Sequence, residues 1–203
     1  MVYKMVFYVD GGCRRNGQPD AIGAAAACLL NRNRTYRRET RPLSTQEYYA
    51  TNQRAELLAM IVALEWALEK SDELHTNPYL DVTIHSDSRY AVGCMSEWIY
   101  RWRRNGWKNA RGLPVANCDL IREASDLNDR LSELGSVEFV HIPREQNVDA
   151  DRACNEALDE QEDNLSSDNS SSGNPSSDYL NLELEGNQLV LDLCTMYTYL
   201  DIY

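Results

Sequence analysis

The chain has 203 residues, of which 43% are hydrophobic and 26% charged, a composition typical of one soluble globular domain with a short extension. It has no run of about 18 apolar residues, so we expect no membrane-spanning helix. Its six cysteines form no CxxC pair, so we expect neither a zinc site nor a disulfide scaffold. We therefore expect an intracellular location, in the nucleus or cytoplasm. The formal net charge is −12, but residues 161–203 contribute −8 of it, so the rest of the chain is only mildly acidic and can still present a basic surface.

The first half of the chain predicts three strands and a long helix. An apolar strand over Tyr3–Val9 is followed by two further runs, Ile22–Leu30 and Thr35–Arg41, which are separated by an Asn-Arg-Asn turn. Together they predict an antiparallel meander. The helix is predicted over Thr51–Lys70, where leucine and isoleucine recur at intervals of three and four residues.

The second half alternates between strands and helices. A β-branched strand is predicted over Asp81–His85, and helices are predicted over Ser88–Trp98 and Asn117–Leu134. A last strand over Val137–Ile142 precedes a last helix over Val148–Leu158. Strands first, followed by strands and helices in alternation, predict an α/β fold with one mixed sheet covered by helices.

The domain is predicted to end near Glu160. The stretch 161–178 is rich in Ser, Asn, Asp and Glu and has one aliphatic residue, Leu165, so it cannot bury enough apolar surface to offset its ordering entropy and is predicted to be a disordered linker. Residues 180–193 alternate leucine with polar residues around a Gly-Asn pair. That pattern allows a hairpin, but we interpret the whole of 161–203 as an acidic, unpacked tail.

Four acids occupy notable places in this prediction. Asp10 and Asp87 end strands, Glu56 lies in the first turns of the long helix, and Asp151 opens the last helix. In open α/β sheets, sites form outside strand ends, and acids gathered there need an opposing positive charge such as a hard divalent cation. Two such ions about 3.5–4 Å apart can hold the attacking water and the leaving oxygen of a phosphodiester. Taken singly, each acid is better explained as a solvated cap.

Four segments resemble, in order, the motifs of type 1 ribonuclease H. They are Tyr8–Gly17 (YVDGGCRRNG), Thr51–Leu57 (TNQRAEL), His85–Ala91 (HSDSRYA) and Glu145–Ala153 (EQNVDADRA). Any one of them is a weak signal, whereas four in family order over roughly residues 3–160 are specific. The resemblance implies a three-layer α/β/α fold with a five-stranded mixed sheet. It also implies that four acids bind the catalytic metal ions, namely Asp10, Glu56, Asp87 and Asp151.

The fourth acid has a competitor two residues away. Asp149 and Asp151 would point about 200° apart on a helix, so only one can face the site. The Ala-Asp-Arg-Ala context favours Asp151, which leaves Asp149 as an N-cap or first-turn acid. Arg144 stands about where many members of the family carry a loop histidine that assists catalysis or product release. We expect Arg144 to contact substrate, and we expect the absence of the histidine to affect the rate of the reaction rather than its identity.

The resemblance also implies a substrate and a product. The family hydrolyses the RNA strand of RNA–DNA hybrids with two Mg²⁺ or Mn²⁺ ions and leaves 5′-phosphate and 3′-hydroxyl ends. Amides can both donate to and accept from a 2′-hydroxyl, and the matching amides here are Asn16, Asn52 and Gln53. Asn16 is alternatively a turn residue, and Asn52 is alternatively a helix cap.

A basic segment, Trp98–Arg111, has five cations and no acid, with aromatic residues interleaved. It resembles the basic protrusion with which the family holds the DNA strand. The residues predicted to contact substrate are Arg101, Arg104, Trp107 and Lys108. Trp98 and Trp102, four residues apart, are alternatively the buried side of a helix.

Two other functions compete with an active ribonuclease H. One is a catalytically weak module that binds hybrid or double-stranded RNA, and the other is a transposon-derived nuclease of the same superfold. The four intact acids argue against the first, and the tryptophan- and arginine-rich segment argues against the second. We expect a monomeric enzyme that does not associate with membranes.

Overall fold

The structure is a computed structural model that describes residues 1–46 and 48–171, with side chains up to residue 166. The predicted α/β fold is confirmed, because five strands form one mixed sheet in the order β3-β2-β1-β4-β5. The strands are β1 (Val2–Arg14), β2 (Ile22–Leu30), β3 (Tyr36–Pro42), β4 (Tyr79–Ser86) and β5 (Gly135–His141). The first three form the predicted antiparallel meander, and β4 and β5 add parallel strands on the other side of β1.

Helices cover both faces of the sheet. They are α1 (Asn52–Asp72), α2 (Arg89–Gly93), α3 (Ile99–Asn105), α4 (Cys118–Leu134) and α5 (Val148–Ser171). Helix α1 lies between the sheet and α4, which is why its side chains are buried almost all round. Helix α5 packs on the opposite face, where small residues of β2 and α5 allow close approach. The three-layer arrangement implied by the resemblance is therefore present.

A buried ion pair ties the start of α1 to the start of α4. Both Arg54 guanidinium nitrogens donate to the Asp119 carboxylate, at 3.0 and 2.6 Å, and the guanidinium lies 4.3 Å from the centre of the Tyr48 ring. The side chain of Arg54 is only 8% exposed. Bidentate geometry makes this a strong, directional contact, so the first turn of α1 has a fixed position.

Three predicted elements differ from the structure by more than two residues. The first strand does not end at Asp10, because antiparallel pairing with β2 continues as far as Arg14. The helix predicted over Ser88–Trp98 is interrupted by a wider, π-helical turn over Cys94–Trp98, which brings the Trp98 ring against Gly93. The last helix, α5, does not end at Leu158 but continues to Ser171.

Residues 161–166, which the sequence assigns to a disordered linker, are instead helical. Inside the compact unit Met1–Gln161, the Gln161 amide donates to the carbonyl of Gly23. In the second unit, the Ser166 hydroxyl donates to the carbonyl of Glu162 four residues earlier, a bond within the helix. Residues 172–203, including the possible hairpin over 180–193, lie outside the described residues.

The five cysteines within the described part of the chain are all free thiols. Among the same residues, no helix has the length and apolar character needed to cross a bilayer.

Candidate active site

Asp10 and Asp87 meet at one edge of the parallel part of the sheet. The pairing of β1 with β4 ends at Val9 and Ser86, so the next residues on these neighbouring strands are the two acids. Asp10 stays paired with Ala26 of β2, and this keeps its backbone fixed. The two carboxylates are therefore adjacent because the topology places the same end of both strands together.

Glu56 reaches this edge because α1 lies directly on β1. A Cβ atom at Gly11 would be 2.1 Å from the Ala55 carbonyl carbon and 2.2 Å from the Glu56 nitrogen. Only glycine allows that contact between the two backbones. The helix turn that carries Glu56 is therefore held against the strand that carries Asp10.

Asp151 lies in the first turn of α5, as predicted. Its backbone N–H donates to the carbonyl of Asn147, whose side-chain nitrogen donates to the Val9 carbonyl and to Asp87 Oδ1, each at 2.9 Å. Arg144 donates to Asp151 Oδ1 at 2.6 Å. Arg144, predicted to contact substrate, is thus bound to the fourth acid.

Two of the four carboxylates, Glu56 and Asp10, have raised pKa values. Burial, with the charges of Asp10 and Asp87, raises the pKa of Glu56 to about 9. Burial, with the charges of Asp87 and Asp151, raises the pKa of Asp10 to about 6, and the Arg144 guanidinium offsets part of this rise. The site therefore holds more negative charge than its surroundings neutralise.

The donor set fits a hard divalent cation. Glu56 Oε2 is buried and has no hydrogen-bond partner, so one carboxylate oxygen close to the charges of Asp10 and Asp87 is left unsatisfied. Oxygen-only, acidic ligands are those that Mg²⁺ and Mn²⁺ prefer. Over residues 1–46 and 48–166, no three His, Cys, Asp or Glu side chains form a closed metal cage. The acids are close enough to interact electrostatically, but they do not form a preassembled ligand shell.

The competing acid lies on another side of α5. Asp149 is close enough to Cys28 and Tyr36 to contribute to the raised pKa of both side chains, and it lies 3.9 Å from Arg152. Its carboxylate is not among the charges that raise the pKa of Asp10 or Glu56. The structure therefore brings Asp151, and not Asp149, to the other acids.

The predicted amides border Glu56. Asn16 Oδ1 accepts a hydrogen bond from the Asn52 backbone at 2.9 Å, and Asn52 Nδ2 lies 3.5 Å from Glu56 Oε1. Thr51, and not Asn52, caps α1. Asn16 lies in the turn after β1, so it serves both as a turn residue and as a partner of the helix. Gln53 follows on the same turn of α1 and is half-buried.

The basic segment divides into exposed and internally paired cations. Arg101, Arg104 and Lys108 are exposed. Arg104 keeps a bond from its Nε to a backbone carbonyl of its own helix, which leaves its terminal nitrogens outward. Arg103 instead bonds to Asp129 of α4 at 2.7 Å. The first three can therefore meet phosphates, whereas Arg103 joins α3 to α4.

The tryptophans of the segment differ in burial. Trp102 is buried, and Trp98 is half-buried against Trp102 and Tyr90, as expected for the inner side of a helix. Trp107 follows the left-handed C-cap of α3, and the Arg122 guanidinium lies 4.8 Å from its ring centre. One face of Trp107 is therefore already covered by a cation.

Asn147 is the site residue to which the sequence pattern gives no role. Its partners Val9 and Asp87 lie 138 and 60 residues away in the chain, so no local spacing indicates the contacts. The one available signal is a polar residue immediately before a predicted helix, which ordinarily indicates a cap.

Fold and site together define a class: an α/β protein that gathers four acids where β1, β4, α1 and α5 meet, with oxygen donors of the kind that divalent cations prefer. The sequence profile of the family described as RNase H matches residues 3–162. A protein named Ribonuclease H from Nitrosomonas eutropha is 35% identical over 77% of this chain and 90% of its own length. Another, from Schizosaccharomyces pombe, is 39% identical over 61% of this chain, but the match spans only 41% of that protein.

Among solved structures, LC9-RNase H1, a type 1 RNase H with the type 2 active-site motif, superposes with a TM-score of 0.56 at 25% identity. The superposition covers 76% of this chain and 71% of that one. This chain belongs to the RNase H family.

Proposed function

We propose that the chain is an endoribonuclease that hydrolyses the RNA strand of RNA–DNA hybrids with two divalent cations, Mg²⁺ or Mn²⁺, and leaves 5′-phosphate and 3′-hydroxyl ends. The RNase H family is a family of divalent-metal-dependent nucleases, and its profile covers most of this chain. The observation that carries the proposal is the buried, unpartnered Oε2 of Glu56 beside the carboxylates of Asp10 and Asp87. A protein that only bound nucleic acid would gain nothing from this repulsion.

The residues that would hold the cations are Asp10, Glu56, Asp87 and Asp151. When bound, the cations would activate a water for in-line attack on the RNA phosphodiester and neutralise the leaving oxygen. The chain's own part is to fix the four carboxylates, two at the strand edge and two in the first turns of α1 and α5. Burial of Glu56 and Asp10 keeps competing water away from their oxygens and strengthens their attraction for a cation.

Recognition of the hybrid is assigned to two surfaces. Asn16, Asn52 and Gln53 lie around the start of α1 next to Glu56, where amides can read a 2′-hydroxyl near the cleaved bond. Arg101, Arg104 and Lys108 are exposed on the basic segment and supply phosphate contacts for the DNA strand. Every residue proposed here lies on one chain, which supports action as a monomer.

The test is a cleavage assay with end-labelled strands. RNA–DNA hybrid, double-stranded RNA and double-stranded DNA are incubated with the full chain, with Mg²⁺, with Mn²⁺ and with EDTA, and the product ends are identified. Cleavage restricted to the RNA strand of the hybrid and dependent on cation supports the proposal. Tight binding of hybrid without cleavage in either cation would indicate a binding module, and cleavage of duplex DNA would indicate a transposon-type nuclease.

A further inference from the structure

Asn147 connects three of the four elements that carry the acids. It is 1% exposed and immediately precedes α5. Its side-chain nitrogen donates to the Val9 carbonyl on β1 and to Asp87 Oδ1 after β4, and its own carbonyl accepts the backbone N–H of Asp151. One side chain and one carbonyl therefore join the two strand ends to the first turn of α5.

The chemistry of the partners fixes the orientation of the amide. The Val9 carbonyl and the Asp87 carboxylate are both acceptors, so the Asn147 NH₂ group, and not its oxygen, must face them. Aspartate would place an acceptor against these two acceptors, and alanine would leave them without this donor. Asparagine is suited to the position because its NH₂ group offers two N–H donors in one plane.

Asn147 gives up a favourable bond to make these contacts. An asparagine just before a helix ordinarily turns its side-chain oxygen to a backbone N–H of the first turn. Here Asn147 Oδ1 is buried and has no hydrogen-bond partner, so the side chain faces β1 and β4 instead of capping α5. A residue that served only to start the helix would not leave that oxygen unsatisfied.

We infer that Asn147 is a positioning residue: its amide sets the orientation of the Asp87 carboxylate relative to Asp10 and Asp151 and so prepares the acids to bind divalent cations. The inference rests on the proposed function, because it assigns Asn147 a role toward the cations proposed there. The bond to Asp87 Oδ1 occupies one acceptor position and leaves Oδ2 for a ligand. Hydrogen bonds that orient metal-binding side chains in this way typically contribute 10–100-fold in metal affinity or activity.

The experiment compares Asn147→Ala with a matched control, Asn128→Ala. Asn128 is a half-buried asparagine on α4 whose Oδ1 is likewise buried without a partner, and it has no part in the proposed site. Full-length wild type and both variants are titrated with Mg²⁺ while the melting temperature is followed. Hybrid cleavage is then measured over the same Mg²⁺ range, well below the melting temperature.

For Asn147→Ala we expect the Mg²⁺ concentration that gives half of the stabilisation to rise about tenfold. Cleavage should fall most at low Mg²⁺ and recover in part at high Mg²⁺, with little change in KM for the hybrid. Asn128→Ala should keep the wild-type Mg²⁺ midpoint even if it melts lower. An unchanged midpoint for Asn147→Ala would overturn the inference, since a purely structural role moves only the melting temperature.

A second pair of variants tests whether Asn147 acts through Asp87. Adding Asn147→Ala to Asp87→Asn should produce no further shift of the Mg²⁺ midpoint, because the oriented carboxylate is already gone. A further shift as large as that in wild type would overturn the inference. If Asn147→Ala does not fold, Asn147→Ser replaces it in both experiments and is judged by the same midpoint.

The melting titration does not depend on catalysis. A wild type that fails to cut the hybrid would therefore contradict the proposed function, while the Mg²⁺ midpoints would still decide the role of Asn147.

Discussion

The acids at the strand edge and the cations of the basic segment are both groups of like charge, but they are arranged differently. The acids come from four separate parts of the chain and are half-buried together, so burial and the neighbouring charges raise the pKa of Glu56 to about 9. The cations lie on one short helix and the loop that follows it, and one of them, Arg103, forms an ion pair with Asp129. Like charges that converge from distant parts of a chain therefore indicate a binding site for a ligand of opposite charge. Like charges on one surface helix give no such indication, so the role of each must be tested separately.

The largest effect is expected from removing one of the converging charges. Asp10→Asn should reduce hybrid cleavage to background, because a proposed cation ligand is lost. The melting temperature in EDTA should stay level or rise, since a repelling charge is removed. Asp149→Asn is the matched control: it makes the same charge change on another side of α5 and should cleave like wild type. Near wild-type cleavage by Asp10→Asn would contradict the proposed role of the acids.

The raised pKa of Glu56 also predicts how the stability of the protein depends on pH when no divalent cation is bound. The pKa of Glu56 is about 9 in the folded protein, against an ordinary value of 4.5, so the folded state holds more protons between these values. The free energy of unfolding should then fall as pH rises from about 5 to 9, by at most ~1.4 kcal/mol per pH unit for each extra proton. Denaturant unfolding in EDTA measures this slope.

Glu56→Gln should flatten that slope. Glu133→Gln, on the exposed surface of α4, should leave it unchanged. Equal slopes for wild type and Glu56→Gln would show that burial and the neighbouring acids do not raise the pKa of Glu56 as the structure indicates.

A smaller effect is expected in the basic segment, where substitutions of the exposed cations should affect hybrid binding and substitution of the paired cation should not. Arg104→Ala and Lys108→Ala should weaken hybrid binding and each lower the slope of log affinity against log salt by about 0.7–0.9. Arg103→Ala should keep the salt slope and lower the stability by no more than ~1 kcal/mol, because its ion pair is partly exposed. Binding isotherms at four salt concentrations measure the slopes. Equal slopes for all three variants and wild type would show that the segment does not contact the hybrid.

The smallest effect is expected at Trp107. One face of its ring is covered by Arg122, so at most one face remains for substrate. Trp107→Ala should weaken hybrid binding only about fivefold, because stacking contacts contribute ~1–3 kcal/mol and a ring with one face covered should lie at the lower end of that range. Trp107→Phe, which keeps an aromatic face, should bind like wild type. A loss of a hundredfold or more in Trp107→Ala would mean that the tryptophan also holds the basic segment in place.

The sequence predicts the position of all four acids because their places depend on local patterns: an apolar run that ends, a helix that starts. It does not predict that β1 continues past Asp10, because that extension depends on a second partner, β2, beyond the point where β4 stops pairing. The sequence also does not predict the ion pair of Arg103 with Asp129 or the role of Asn147, for the same reason. Both depend on contacts with residues distant in the chain, and these exist only once the elements have packed.

The close contact at Gly11 has a consequence for how this protein can vary. The separation of Asp10 and Glu56 is set by backbone atoms of β1 and α1, with no side chain between them. Substitutions elsewhere in the core can alter its packing and its melting temperature while this spacing stays the same. A designer seeking a more heat-resistant form can therefore change side chains elsewhere in the core without altering this spacing, provided that residue 11 remains glycine.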